Sequence, residues 1–157
     1  NPYNPSATGF YFETLEELEE KSAELKDEFG LPVEEFEVEA IDGTREEMEL
    51  FERAEVTPAE IAEFIKFIDD ANESTWPAVY FLMRKYSLES AIERVDHCRV
   101  IHASLLEVAS DDFDDRCVIP DELRAFINYD KYAKEMEYSG SMVQFEFGWK
   151  TYTWCHR

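Results

Sequence analysis

The chain has 157 residues, 45% hydrophobic and 15% aromatic, and a net charge of −22 from 37 acidic and 15 basic side chains. That is enough apolar material for one sizeable core or two or three small lobes, and it argues against global disorder. The charge argues against direct binding to nucleic acid or anionic membranes and favours cationic partners: metal ions, basic proteins, or a protein groove that normally holds DNA. The bland explanation is solubility or a halophile surface. It is weakened by the unevenness of the acid, since residues 1–57 hold 18 acidic and 4 basic side chains while residues 58–157 hold 19 and 11. Cys98, Cys117 and Cys155 are odd in number and not closely paired, as expected in a reducing cytoplasm. No apolar run reaches membrane-spanning length and no signal peptide is visible. Because the chain begins at Asn1 rather than a methionine, a short N-terminal piece carrying a first strand could precede it.

Residues 1–9 read as a loop, and Phe10–Phe12 as a short strand. From Glu13 to Phe29 the residues Leu15, Leu18, Leu25 and Phe29 recur at helical spacing, ringed by glutamates. Gly30-Leu31-Pro32 closes that helix. Glu35-Phe36-Glu37-Val38-Glu39-Ala40 then alternates strictly, giving a strand with one apolar and one carboxylate face, and Phe36 to Ile41 could pair with Phe10–Phe12 in a small sheet. Thr44-Arg45-Glu46-Glu47 has capping-box spacing, and its helix should bury Met48, Phe51 and Ala54. Thr57-Pro58-Ala59-Glu60 repeats the signal ahead of the stripe Ile61, Phe64, Ile65, Ile68. Trp76-Pro77 opens a helix apolar nearly all round, and Ser87 caps another carrying Leu88, Ala91, Ile92 and Val95 inward. Residues 44–96 therefore read as a helical bundle lobe. Arg99–Ala103 should be a strand and Leu105–Asp115 a helix. A short helix follows Pro120, another spans Tyr129–Met136, and the tail from Met142 to Trp154 forms a hairpin around Gly148. The predicted class is α+β, as three small lobes in a row: 1–43, 44–96 and 97–157.

The C-terminal third carries a recognisable pattern. Ile101-His102, the acidic helix after it, Pro120 with Leu123, and the run Phe126-Ile127-Asn128-Tyr129-Asp130, Tyr132-Ala133, Glu135, Glu137-Tyr138 and Gly140 lead into a closing aromatic strand. Further upstream, Glu34 to Gly43 ends in Ile41-Asp42-Gly43. This layout resembles the ArdA-type antirestriction proteins over most of the chain, most closely over residues 98–154. The helix after Glu107 is shorter than the family's, and its N-terminal first strand is not evident. The resemblance implies an elongated homodimer encoded on a mobile element, whose carboxylates imitate the phosphates of bent DNA. Such a protein occupies the DNA-binding groove of type I restriction–modification enzymes, with no cofactor and no reaction of its own.

The implied phosphate mimics are Glu13, Glu16, Glu17, Glu20, Glu24, Glu35, Glu37, Glu39, Glu46, Glu49, Glu52, Asp69, Asp70, Asp111, Asp112, Asp114, Asp115, Glu135 and Glu137. Duplex DNA carries roughly one charge per 1.7 Å of axis, so −22 corresponds to about 37 Å, or about eleven base pairs. Carboxylates at every third or fourth helical position lie about 5–6 Å apart along the axis. On pattern alone the helix acids are as readily a solvated face. The strand acids are harder to dismiss, because like charges stacked along one strand face oppose folding. Asp111–Glu122 departs from a calcium-binding loop, with Phe113 at the third position and Arg116 where glycine is needed. His97, Cys98, His102, Cys117, Cys155 and His156 lack the close pairs of a zinc site. Trp76, Phe81, Tyr129, Tyr132, Trp149 and Trp154 read as core, with one apolar edge among them left for a twofold dimer contact. The alternatives are an acidic adaptor for another basic protein and, further off, a metal-dependent enzyme built on the Asp111 region with His102.

Overall fold

The structure, a computed structural model, describes residues 9–27, 29–33, 37–70 and 72–156. Its described residues are mixed α+β, with helices and one three-stranded antiparallel sheet. The chain divides into two compact units, residues 1–71 and 72–157.

In the first unit, Thr14 caps α1 (Leu15–Glu24) by accepting from the Glu17 N–H. This helix stops five residues before Phe29, the end that its apolar spacing predicts. Leu25 is already extended, and the Asp27 carboxylate takes the N–H groups of Phe29 and Leu31 at 2.9 and 2.8 Å. An acceptor side chain that captures nearby N–H groups offers the backbone a turn in place of a helix. Gly30, with φ +79, completes that turn, and Phe29 is left exposed. The expected sheet of residues 10–12 with 36–41 is not formed among the described residues, and Glu35 and Phe36 lie outside them. Glu37 and Glu39 are exposed and Val38 and Ala40 half-buried, so the alternation survives without a ladder. A two-stranded sheet has little stability of its own.

The capping box at Thr44 and Glu47 forms as its spacing predicts, opening α2 (Arg45–Ala54). The fully buried residue of that helix is Leu50, while Met48, Phe51 and Ala54 are half-buried. Thr57 and Glu60 form a separate turn, with the Thr57 hydroxyl donating to the carboxylate at 2.8 Å, before α3 (Ile61–Asp70). Ile61, Phe64 and Phe67 point into the core, and Phe51 meets Phe64 edge-on at 5.3 Å. Leu15, Leu18 and Leu25 of the α1 side, with Phe10, Phe12 and Ile61, line a cavity of about 530 Å³.

In the second unit, α4 (Trp76–Leu82), α5 (Leu88–Arg94), β1 (Arg99–Ile101), α6 (Leu105–Arg116), α7 (Asp121–Arg124), α8 (Tyr129–Tyr138), β2 (Met142–Phe147) and β3 (Lys150–Cys155) follow in order. The sheet order is β1-β3-β2, with Cys155 opposite both Arg99 and Met142. That register puts Phe145, Phe147, Tyr152 and Trp154 on one face and Met142, Thr153 and Cys155 on the other. Against the aromatic face lies α4: Tyr80 is 4.8 Å from Phe147, and Phe81 lies 5.1 and 5.0 Å from Phe145 and Trp154. The opposite face is closed by α6 and α8 through Val108, Ala109 and Ala133. The expected helical lobe 44–96 is thus divided. Its first two helices belong to the first unit, while its apolar third helix serves as the lid of a sheet formed later in the chain.

Phe147 is the largest fully buried side chain of this aromatic layer. Phe147→Ala should cost about 3–5 kcal/mol, read as a lowered thermal midpoint of the near-ultraviolet aromatic signal. An unchanged midpoint would mean that the layer does not hold the unit together.

Candidate functional site

The apolar side of α1 faces inward, which turns Glu16, Glu20 and Glu24 outward in successive i, i+4 steps, with Glu13 just upstream. At 1.5 Å rise per residue the three helical carboxylates follow one another about every 6 Å. All four are exposed, with no side-chain partner among the described residues. Each like-charged i, i+4 pair opposes the helix by about 0.2–0.5 kcal/mol. Glu17 behaves differently. Its carboxylate accepts from the Glu13 N–H at 3.1 Å and from Lys21 Nζ at 3.3 Å, and Lys21 reaches on to the Tyr11 carbonyl at 2.8 Å. The Glu13 N–H, and then the Lys21 ammonium, hold Glu17 below the usual carboxylate range. Glu17 therefore braces the start of the helix and leaves the set of open charges.

The other acids of the first unit sort the same way. Glu49 is mostly covered and paired with Arg45 at 2.6 Å, and Glu46 is half-buried and engaged within the chain; both are corrections to the predicted surface. Glu37, Glu39, Glu52, Asp69 and Asp70 remain exposed, without a side-chain partner among the described residues. Residues 1–71 hold 22 acidic and 5 basic side chains, a net −17 of the chain's −22.

On the second unit, Ser104 and Glu107 form a capping box for α6, and these hydrogen bonds from Ser104 hold Glu107 below its usual range. The acidic end of α6 is not a uniform patch. Asp112 takes Arg116 at 2.9 Å and the Tyr132 hydroxyl at 2.8 Å. Asp114 takes Arg124 at 2.7 Å and the Tyr129 hydroxyl at 2.7 Å. Phe113 sits edge-on to both tyrosine rings. These two half-buried aspartates latch α6 to α7 and α8, so neither is an open phosphate mimic nor a vacant metal ligand. Burial first, then Asp112, raises the Tyr132 hydroxyl above its ordinary value, and Asp114 does the same to Tyr129. Asp111, Asp115, Glu135 and Glu137 are exposed and without side-chain partners among the described residues.

Among the described residues no three His, Cys, Asp or Glu side chains gather to hold a metal ion. His102 lies 5.0 Å from the Tyr152 ring. Burial pushes the Cys98 and Cys155 thiols up, away from the reactive thiolate form. No helix of the described residues is long and apolar enough to cross a membrane.

Two features escape the sequence pattern. Trp149, expected in the core, is 81% exposed, and Val118, Leu123 and Phe126 are exposed along the chain between α6 and α8. The alternation of β3 made an inward Trp149 plausible, but the hairpin turn takes that residue instead. The fold and site thus define an α+β protein with an open carboxylate surface. Comparison with family models, curated proteins and solved structures finds no match to this chain.

Tyr132→Phe removes the hydroxyl donor to Asp112 and should cost about 1–2 kcal/mol. The raised Tyr132 value adds a pH signature. Its contribution is present below the ordinary tyrosine pKa near 10 and lost as pH rises through the higher folded value. The stability gap between wild type and Tyr132→Phe, followed by urea denaturation, should therefore shrink at alkaline pH. A gap that is absent at neutral pH would refute the latch.

Proposed function

We propose that this protein is a DNA mimic that blocks restriction by occupying the DNA-binding groove of a type I restriction–modification enzyme in the cytoplasm, using neither cofactor nor reaction. The observation that carries this reading is the sorting of the carboxylates. Half-buried acids such as Glu17, Glu49, Asp112 and Asp114 have cationic partners, whereas the series Glu13, Glu16, Glu20, Glu24 stands exposed at regular spacing. A protein that needed only solubility would gain by interleaving lysine there. The resemblance of residues 98–154 to the ArdA type supports the same target class. Two copies fit together most easily through the second unit. It holds 15 acidic and 10 basic side chains and exposes Leu106, Leu123 and Phe126, so repulsion is weakest where apolar surface is available.

The test is inhibition of a purified type I restriction enzyme in competition with duplex DNA. Inhibition should weaken by about tenfold or more between 50 and 200 mM salt, because the contacts are between many exposed charges. Any single change among Glu16, Glu20 and Glu24 to Gln should shift potency by no more than about fivefold, and the triple change by about 3–150-fold, since each exposed charge contributes about 0.2–1 kcal/mol. The triple variant should be no less stable than wild type, because like-charged i, i+4 pairs are removed. Absence of inhibition at low salt, with tight binding to a basic protein that has no DNA groove, would replace this reading with the adaptor. Phe126→Asp should halve the mass measured by light scattering; a wild-type monomer would remove the dimer.

A further inference from the structure

The cavity of the first unit has a polar residue where its wall calls for an apolar one. Leu15, Leu18 and Leu25 repeat at helical spacing, and the position of the same stripe between Leu18 and Leu25 belongs to Ser22. Residues so spaced share one face of a helix, and Ser22 lines the cavity with the three leucines. Its hydroxyl is engaged within its own helix, donating to the Glu19 carbonyl at 3.1 Å. A leucine there would complete the stripe, suit the helix better and close part of the space. The serine instead leaves about 530 Å³ open, within the range of about 300–1,000 Å³ usual for small-molecule sites. Unfilled apolar space opposes folding in proportion to its volume. A residue that breaks a packing rule in this way is expected where it serves function.

The chemistry of the ligand follows from the lining. Phe12, Val38 and Ile61 join the leucines as walls for an apolar body. Glu19 and Glu37 also line the cavity and are exposed, which places them at its mouth. No lysine or arginine stands among the described lining residues, and residues 1–71 carry a net −17. A carboxylate head would be repelled at this mouth and an ammonium head attracted. A hydrated metal ion would gain nothing from the walls. We propose that the cavity binds a small apolar cation, with an aliphatic or aromatic body inserted between α1 and α3 and an ammonium group at Glu19 and Glu37. The site does not depend on the DNA-mimic reading, since it needs neither a partner protein nor the outward series on α1.

The probes are n-octylammonium, octanoate and ethylammonium, each titrated into the full chain at one low salt concentration and followed by calorimetry and thermal midpoint. Octylammonium should saturate one site per chain and raise the midpoint. Octanoate has the same body with the opposite charge, and ethylammonium the same charge with little body. Each should bind at least about tenfold more weakly. Glu19→Gln together with Glu37→Gln, both exposed positions, should lower octylammonium affinity by about 2–30-fold. Ser22→Leu should raise the midpoint of the free protein and lower octylammonium affinity by at least about tenfold, because the side chain occupies the cavity. Equal binding of octanoate or ethylammonium, or no saturable binding at all, overturns the proposal. So does unchanged affinity in Ser22→Leu or in the double glutamine variant. If Ser22→Leu lowers the mass measured by light scattering, the cavity belongs to a contact between copies, and the proposal fails. If octylammonium does not bind but Ser22→Leu loses inhibition of the restriction enzyme, the cavity takes a side chain of the partner protein; the proposal then fails while the mimic stands.

Discussion

Hydrogen-bond donors able to neutralise a carboxylate are scarce in this protein, and their allocation governs much of what the structure shows. Against 37 acidic side chains stand 15 basic ones. A carboxylate that is even partly withdrawn from water needs a donor, and the half-buried Glu17, Glu49, Asp112 and Asp114 have one. Lys21 serves Glu17, Arg45 serves Glu49, Arg116 serves Asp112, and Arg124 serves Asp114. The backbone supplies further donors where cations run out. Glu47 and Glu107 close capping boxes, and Asp27 takes the N–H groups of its own turn. What remains without a donor is placed in solvent. Among the described residues, the exposed carboxylates that have no donor are the acids that folding does not use, whereas the exposed Glu60 and Glu107 still accept from Thr57 and Ser104.

Much of the local structure was legible because it depends on residues close in sequence. The capping box at Thr44, the N-cap at Ser87, the proline after Trp76, and the closing hairpin all lie where their short patterns predict. The α+β class was legible for the same reason. Periodicity fails where a single side chain competes with it, as Asp27 does when it ends α1 at Glu24. It also misplaces the phase of α2, where Leu50 shares the apolar side with Phe51 and Ala54 and is, rather than Met48, the buried centre. The allocation of acids was only half legible. Asp112 and Arg116 are four apart on one helix, a spacing that announces a pair, whereas Arg124 reaches Asp114 from ten residues away. The division at residue 71 was not legible at all, because it depends on α4 covering a sheet whose strands follow it in sequence.

The two units differ in what holds them. The second has a layered core in which one sheet is closed by α4 on its aromatic face and by α6 and α8 on the other. Thr153, fully buried, donates to the Ala103 carbonyl at 2.9 Å, and Gln144 accepts from the Leu105 N–H at 2.7 Å. Both contacts tie the sheet to the entry of α6. The first unit has no buried residue in α1 and carries the greater share of the charge. Repulsion thus falls hardest where packing has least to set against it. A sequence selected for stability alone would place its acids the other way round.

That arrangement gives salt two opposite effects. Added ions screen the repulsion among Glu13, Glu16, Glu20 and Glu24 and so favour the folded first unit, because those charges are close together and exposed. If the protein is the proposed DNA mimic, the same ions weaken its attraction to a cationic groove. Loss of binding on adding salt therefore coincides with a more stable fold and cannot be unfolding in disguise. A solvated acidic face without a partner would show only the first effect. The second requires that the carboxylates meet an ordered array of cations, and a surface that remains exposed despite the strain it places on its own unit is suited to that encounter.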